Sequence, residues 1–497
     1  MADDTTAPRA SLERFVPALL AVIVVCLALG VWRNNGAVAG SADTSGYMNS
    51  ARLLARGEFS TPIRPVEGID AASLPGYVDE IYAPLGFRAV RHDGSLSPTY
   101  PIGLPLMIAA LATVTGWDAA PGLVVGLHAV LGVLLVYALG REFGLPPGWS
   151  AMGALALAAS PLYFHMSLWT MSDVPAMVWT TATILLAARA TRHPAWALAA
   201  GFALGLAVLI RPTDALALLP AGVALGWRLR SVAWFVLGGL PAAALLGGYN
   251  LHAYGSMISS GYFNPPDTFA LHHAGPTLAH YARWLPALLT PLVLAALALP
   301  WAGKTGAREK CTLGLWGLAF LGFYTIYSYT RVEWWFLRFV LPAFPPLIVG
   351  ALLVLRHFGG RIRAPVSPAI VWVTVAAIIL TNDWYRMQRL HARVVGQVEN
   401  DYRATAFWAQ SHLPREAVVL AMQNSGALFY YTDFRVVVSV WFLPGQFRQA
   451  VPGIRAAGRP IYAVLQDSDQ AESFAHIPGN WVKVDRVFNR TVWRLAP

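Results

Sequence analysis

Residues 15–32 read FVPALLAVIVVCLALGVW, a stretch without a charged side chain. A helix needs about 20 apolar residues to cross a hydrocarbon core about 30 Å thick, so this run is long enough to span a bilayer. It is longer than the core of a signal peptide, and no small-residue cleavage pattern follows it. We therefore predict a retained membrane helix. Comparable apolar runs recur along the chain as far as Leu380.

The composition agrees with a membrane protein. Of 497 residues, 56% are hydrophobic and only 12% are charged, whereas an ordinary soluble domain has about 25% charged residues. The formal net charge of +10 comes from basic residues between apolar segments, which indicates a membrane topology signal and not a nucleic-acid surface. Cys26 and Cys311 lie in or beside apolar segments with no metal-ligand spacing, so neither a disulfide nor a zinc site is predicted.

The apolar runs predict a polytopic α-helical membrane protein with about eleven transmembrane helices. The predicted spans are 15–32, 119–140, 149–165, 173–190, 195–210, 212–228, 231–250, 284–302, 311–329, 337–355 and 366–382. A twelfth apolar segment, 101–116, begins with several prolines and glycines and is only marginally long enough to cross. We favour a re-entrant or surface-lying helix for it.

Basic residues between the spans predict the topology. Every second loop between the predicted spans is rich in basic residues: Arg141, Arg189, Arg192, Arg228, Arg230, Lys304, Arg308, Lys310, Arg356, Arg361 and Arg363. The short loops on the opposite side carry only Arg211 and Arg331, so the positive-inside rule places the first set of loops in the cytoplasm. The 251–283 loop and the C-terminal region then face outward. The 33–118 loop joins them only if 101–116 does not cross.

The last part of the chain has the composition of a soluble domain. We divide the protein into a membrane module, 1–382, and an extracytoplasmic α/β domain, 383–497. Helices and strands alternate in this domain as they do in small α/β units. The predicted elements are helices at 396–412, 425–432 and 446–457, strands at 417–421, 435–440 and 460–466, and a closing hairpin at 481–489 and 491–495.

An acid follows the first span. Asp43, Tyr47, Ala51 and Leu54 are spaced so that they share one face of a short helix. Asp43 then lies at a helix start beside the membrane surface. Two interpretations stay open from the spacing alone: an ordinary N-cap, which Asp favours, or a functional carboxylate.

The order of several motifs resembles the GT-C glycosyltransferases, polytopic enzymes that include protein O-mannosyltransferases and bacterial aminoarabinose transferases. The motifs lie between residues 15 and 355, and each is weak by itself. They are Asp43 with Tyr47, Ala51 and Gly57, SPTYPIGLP at 97–105, SPLYFHMSLWTMSDVP at 160–175, RPT at 211–213, YNLHAYGS at 249–256 with SGY at 260–262, and RFVLPAFP at 338–345.

The resemblance implies transfer of a sugar from a polyprenyl-phosphate carrier to an external glycan, lipid or protein, at a bacterial inner membrane with the active site facing the periplasm. It makes Asp43 the candidate base and Asp173 the second catalytic acid. The implied substrate-binding residues are Arg338, Arg211, Tyr47, Tyr100, His165, Trp169, Glu333 and Tyr262. Thr44 stands where the family usually has a second acid, and no basic residue precedes Pro98, so a divalent metal is possible but undecided.

The chemistry of these residue types fits such a reaction. A carboxylate takes the proton of the attacking hydroxyl. An arginine binds the departing phosphate well because its planar guanidinium donates two parallel hydrogen bonds. Each residue also has a structural alternative. Arg338 can snorkel or pair with Glu333, Arg211 and Asp173 can belong to ordinary helix starts, and His165 and Trp169 can be interfacial residues.

Two other functions are compatible with the sequence. A transporter or flippase of lipid-linked precursors tends to carry polar groups at the bilayer midplane and related halves. This chain has its candidate polar groups at span ends and no internal repeat, so we favour the enzyme. A noncatalytic scaffold that displays the C-terminal domain is the third possibility.

Overall fold

A computed structural model describes residues 13–69, 79–91, 93–226, 228–262, 267–303, 305–359 and 368–497. Lys304, Arg361 and Arg363 of the basic loops lie outside these residues, as do parts of the predicted loops and the ends of two predicted spans, at 227 and 366–367.

Fourteen α-helices lie between residues 16 and 389 in the described residues. They are α1 Val16–Arg33, α2 Ala42–Ala55, α3 Gly103–Thr115, α4 Ala120–Glu142, α5 Pro147–Ala159, α6 Pro161–Met166, α7 Asp173–Arg189, α8 Ala195–Ile210, α9 Leu218–Leu225, α10 Leu229–Tyr254, α11 Ala274–Leu288, α12 Ala307–Thr325, α13 Phe344–Gly359 and α14 Pro368–Arg389. Longer 3₁₀ segments run through Pro212–Ala217, Pro291–Trp301 and Trp334–Ala343.

The predicted count of eleven spans is not confirmed. By length and composition, four helical segments of the described chain can cross a membrane: α1, α4, α10 and the continuous stretch Trp334–Gly359. A fifth is possible if the bent pair Leu271–Leu288 and Pro291–Trp301, at 109°, counts as one span. The other apolar segments form shorter, interrupted or more polar helices. The protein is nonetheless a multi-pass membrane protein.

Proline explains two of the interruptions. The predicted span 149–165 is divided between α5 and α6 at Pro161, because proline removes a backbone donor and disfavours a helical residue before it. The continuous helix predicted over 284–302 is wrong. Thr290 has a positive φ of 65° immediately before Pro291, and the chain turns sharply there.

Helix α3 is too short to cross. It has 13 residues, or about 20 Å at 1.5 Å per residue, against a hydrocarbon core of about 30 Å. In the loop before it, Asn49 donates to the Gly426 carbonyl at 3.1 Å and Arg52 to that of Tyr430 at 2.7 Å. The first loop therefore lies on the same side as the C-terminal region, as we expected for a segment that does not cross.

Small residues let the membrane helices approach closely. A Cβ at Gly201 in α8 would overlap the Phe235 carbonyl in α10, and one at Gly238 would overlap that of Leu198. Close backbone approach at small residues is a common way for membrane helices to pack, because lipid provides no hydrophobic drive between them.

The C-terminal region is built on a five-stranded sheet in the order β5-β4-β6-β8-β7. Strand β4 (Val418–Ala421) is parallel to β5 (Arg435–Val438) and β6 (Ile461–Gln466), and β8 (Arg490–Leu495) is antiparallel to β6 and to β7 (Trp481–Val487). The helices are α15 Val395–His412, α16 Ser425–Tyr431, α17 Gln446–Ala456 and α18 Gln470–His476.

These elements agree with the predicted order, apart from α18, which we did not predict. The predicted boundary between residues 382 and 383 lies inside α14, so no linker separates the two parts there. The first loop also contains a small sheet in the order β1-β3-β2: β1 Thr61–Pro62, β2 Phe87–Arg88 and β3 Ser95–Pro98. Strands of two to four residues carry too little periodicity to be recognised.

Candidate active site

Asp43 lies in the first turn of α2 with both carboxylate oxygens engaged. The N-cap position of this helix is Ser41, so the N-cap alternative for Asp43 is wrong. Oδ2 accepts from an Arg338 terminal nitrogen at 2.9 Å, and Oδ1 accepts from the Tyr100 hydroxyl at 2.6 Å. The Asp43 side chain is still 31% exposed. A partly open carboxylate held in a fixed orientation is suited to meet a substrate.

Arg338 reaches Asp43 from the 3₁₀ segment Trp334–Ala343. Its side chain is 10% exposed, and its guanidinium lies 5.0–5.5 Å from the ring centres of Trp335, Phe336 and Phe339. Glu333 is exposed at the start of the segment and forms no ion pair with Arg338 in the described chain. The buried arginine is therefore paired with the loop acid, and neither snorkelling nor Glu333 accounts for it.

Asp173 and Arg211 form a second pair, more deeply buried than the first. Their closest oxygen and nitrogen are 2.5 Å apart, and the Asp173 side chain has no exposed surface. Ser172 connects the pair to α2, because its hydroxyl accepts from Arg211 at 3.2 Å and from the Tyr47 hydroxyl at 3.0 Å. Together with the first pair, these hydrogen bonds join residues from five separate motifs.

Several buried polar atoms of these pairs have no hydrogen-bond partner among the described residues. They are Asp173 Oδ2, an Arg211 terminal nitrogen, Arg338 Nε and Asp214 Oδ1. Buried polar atoms are normally bonded, so such a cluster fits a site whose remaining partners come from a ligand or water. Asp214, bonded to Thr180 at 2.7 Å, was missed in the sequence. An acid at the start of an apolar segment was the available signal.

The tyrosines predicted to bind substrate lie together beside Asp43. The Tyr100 ring is 4.7 Å from Tyr47 and 6.1 Å from Tyr262. Burial, and then the Asp43 charge, raise the pKa of the Tyr100 hydroxyl well above its usual value. Tyr100 consequently stays protonated at neutral pH and donates to Asp43.

His165 and Trp169 pack against the tryptophans at the start of the 3₁₀ segment that carries Arg338. His165 Nδ1 is 2.9 Å from the Ala392 carbonyl, and its ring is 5.0 Å from Trp334 and 5.6 Å from Trp169. Trp169 in turn packs 6.0 Å from Trp335. These residues support the segment that carries Arg338, and neither is hydrogen-bonded to Asp43 or Asp173 in the described structure.

One group of three potential metal ligands occurs in the described residues: Asp267, His272 and His273. Both ring nitrogens of His273 are already used, since Nε2 lies 2.9 Å from the Asp267 carbonyl and Nδ1 lies 3.2 Å from Arg331. A histidine ligand needs a free ring nitrogen. The geometry therefore does not favour a metal at this group.

Glu399 of α15 also reaches the site and was missed in the sequence. Its Oε2 accepts from the Thr44 hydroxyl at 2.6 Å and from the Ser41 backbone N–H at 3.0 Å. Burial raises the pKa of Glu399 to about 7, and the hydrogen bonds from Thr44 and Ser41 partly offset this effect. No local pattern around Glu399 indicated a contact with a residue 355 positions earlier in the chain.

The hydrogen bond from Tyr100 gives a first prediction. Tyr100→Phe removes the hydroxyl that orients Asp43 and keeps the ring. A hydrogen bond to a charged group contributes about 1.5–3 kcal/mol, so we expect turnover to fall about 10- to 100-fold. Tyr254→Phe is the matched control, because its hydroxyl bonds the Pro98 carbonyl at 2.7 Å and not an acid. Equal turnover in the two variants would contradict an orienting role for Tyr100.

The chain is similar to known proteins both in sequence pattern and in structure. Residues 99–246 match the sequence pattern of the family described as dolichyl-phosphate-mannose-protein mannosyltransferase. The structure is similar to ArnT from Cupriavidus metallidurans in the apo state, with a TM-score of 0.61 and 14% identity over 98% of this chain and 100% of ArnT. The ArnT structure bound to undecaprenyl phosphate has a TM-score of 0.58 and 14% identity, over 96% of this chain and 99% of ArnT.

Two further solved structures are similar to this chain over most of its length. The oligosaccharyltransferase of Archaeoglobus fulgidus matches with a TM-score of 0.52 and 12% identity over 96% of this chain and 74% of that one. The mycobacterial arabinofuranosyltransferase AftD matches with a TM-score of 0.54 and 15% identity, over 98% of this chain and 40% of AftD. No curated protein matches by sequence. The chain has the GT-C fold, as the order of its motifs predicted.

Proposed function

We propose that this protein, a membrane protein with the GT-C glycosyltransferase fold, transfers a sugar from a polyprenyl-phosphate-linked donor to an extracytoplasmic glycan, lipid or protein. Asp43 acts as the general base, and the reaction inverts the configuration at C1. The active site and the C-terminal region face the periplasm of a bacterial inner membrane, in agreement with the basic residues that we expect on the cytoplasmic side.

The ion pair between Asp43 and Arg338 is the observation on which the proposal depends. It unites the proposed proton acceptor and the proposed phosphate ligand, which come from parts of the chain 295 residues apart. Both groups are charged and lie next to apolar helices, where a charge without a partner is energetically unfavourable. The second pair, Asp173 with Arg211, adds another guanidinium with an unpartnered nitrogen nearby.

A lipid-linked donor fits this location. Its phosphate lies close to the membrane surface, within reach of the helix ends that carry Arg338 and Arg211. The structurally similar ArnT was crystallised with undecaprenyl phosphate, which is the form of carrier that such a donor would leave behind. We therefore assign a polyprenyl phosphate as the leaving group.

The reaction follows from the two pairs. The acceptor hydroxyl attacks C1 of the sugar, the bond between C1 and the phosphate oxygen breaks, and its electron pair stays on the phosphate. Asp43 receives the hydroxyl proton. Arg338 and Arg211 stabilise the charge that grows on the phosphate, because guanidinium groups remain protonated and donate in pairs. Arg338 shifts its bonds from Asp43 to the phosphate, which leaves Asp43 Oδ2 free to accept the proton.

Binding of the carrier tests the phosphate role. We expect Arg338→Ala to weaken binding of undecaprenyl phosphate to the purified protein in nanodiscs about 10- to 100-fold, because charge-assisted bonds contribute about 1.5–3 kcal/mol. Arg338→Lys should recover only part of the loss, since an ammonium lacks the planar fork. Arg331→Ala is the control, because Arg331 is exposed and contacts His273. Unchanged binding in Arg338→Ala would contradict the proposal.

A further inference from the structure

The N-terminus of α2 lacks a cap of its own. Ser41 occupies the N-cap position, but its side chain makes no capping hydrogen bond. In a capping box, a Glu or Gln at the third helical position bonds the backbone N–H of the N-cap residue. In α2 that position is Thr44, whose side chain is too short for this role, and its hydroxyl accepts from the Gly40 N–H at 3.0 Å instead.

The C-terminal region supplies the missing group. Glu399 Oε2 accepts the Ser41 N–H, which is the bond that a capping-box Glu would make, and it also accepts from the Thr44 hydroxyl. The residue is 1% exposed, and no basic side chain forms an ion pair with it in the described structure. A carboxylate at a helix N-terminus is favourable because free N–H groups and the helix dipole point toward it.

Close backbone contacts hold Glu399 in this place. A Cβ at Gly40 would overlap the Glu399 carboxylate, and Gly36 and Gly396 are so close that a Cβ on either would overlap the other segment's backbone. Farther along α2, a Cβ at Gly426 would overlap the Ser45 hydroxyl. The first turn of α2, which carries Asp43, is therefore fixed from two sides by α15 and α16.

We propose that Glu399 is a positioning residue for Asp43: by capping α2 across the chain, it makes the C-terminal region an integral part of the active site. The inference rests on the proposed role of Asp43. Without the cap, the first turn frays and the carboxylate loses its alignment with the acceptor hydroxyl. Misplacement by about 1 Å can cost about 100-fold in rate.

Kinetics of the purified full-length protein test the role. We expect Glu399→Ala to lower kcat about 10- to 100-fold, measured as release of polyprenyl phosphate, with the donor KM within about twofold because Arg338 is untouched. Glu399→Gln should recover most of the activity, since its amide oxygen can accept both bonds. Gln397→Ala, an exposed position on the same helix, is the control. Wild-type kcat in Glu399→Ala, or an equal loss in Gln397→Ala, would overturn the proposal.

Amide hydrogen exchange provides a test that does not depend on the reaction. Loss of the cap should speed exchange at residues 41–45 in Glu399→Ala and leave it unchanged in Gln397→Ala. If Glu399→Ala does not fold, Glu399→Asp decides, because it keeps the charge but is one methylene too short to reach the Ser41 N–H. Slower turnover with faster exchange at Ser41 supports the cap, and wild-type values in both overturn it. If Asp43→Asn keeps full activity, the proposed base is wrong, whereas the exchange result still decides whether Glu399 caps α2.

Discussion

Asp43→Asn is expected to reduce sugar transfer about 10²- to 10⁴-fold, the usual contribution of a positioned general base. Asparagine keeps the shape of the side chain and can still accept from Tyr100, but it cannot take a proton from the acceptor hydroxyl. The substitution also leaves Arg338 without its anionic partner. Turnover of a polyprenyl-phosphate-linked sugar by the purified protein is the measurement.

The same experiment needs a variant that changes an acid of the first loop without touching the site. Asp93→Asn is suitable, because Asp93 is exposed and bonds to Ser95 at the start of β3. We expect its turnover to equal that of the wild type. Undecaprenyl phosphate binding should persist in Asp43→Asn, since Arg338 remains. Wild-type turnover in Asp43→Asn would remove Asp43 as the base.

Arg211→Met is expected to cause the largest loss of stability. It leaves the fully buried Asp173 without its cation, and breaking a buried ion pair in this way costs about 3–5 kcal/mol. Asp214, whose side chain is also buried, adds a second acid beside the vacated position. Asp173→Asn in the same chain should restore part of the loss, because the uncompensated charge is removed. Thermal or denaturant unfolding in detergent measures both effects.

The exposed pair of Arg486 and Asp467 is the matched control. Its atoms are 2.6 Å apart, about as close as in the buried pair, but the two side chains are about half exposed. Solvent-exposed pairs contribute about 0–1 kcal/mol, so Arg486→Ala should change stability little. A similar loss in Arg486→Ala and Arg211→Met would mean that burial does not decide the cost at Arg211.

Sequence patterns located most of the groups in the candidate site. Asp43, Asp173, Arg211, Arg338, Tyr47, Tyr100 and Tyr262 were all predicted, and the structure brings them together. Glu333 was predicted both as a substrate-binding residue and as the alternative partner of Arg338, but it lies at the exposed end of the 3₁₀ segment. It does not pair with Arg338 because Arg338 is directed toward Asp43 in the first loop.

The apolar run at 15–32 and the similar runs that follow it were enough to predict that this protein resides in a membrane, because no soluble fold can bury so much apolar surface. Motif order was enough to indicate the GT-C architecture. The partner of each charge was not predictable, since Asp43 meets Arg338 and Glu399 caps α2 only when distant segments pack. The sequence also left open whether the first loop lies on the same side of the membrane as the C-terminal region, because the apolar segment 101–116 is only marginally long enough to cross. Hydrogen bonds between that loop and the C-terminal helices place the two on the same side.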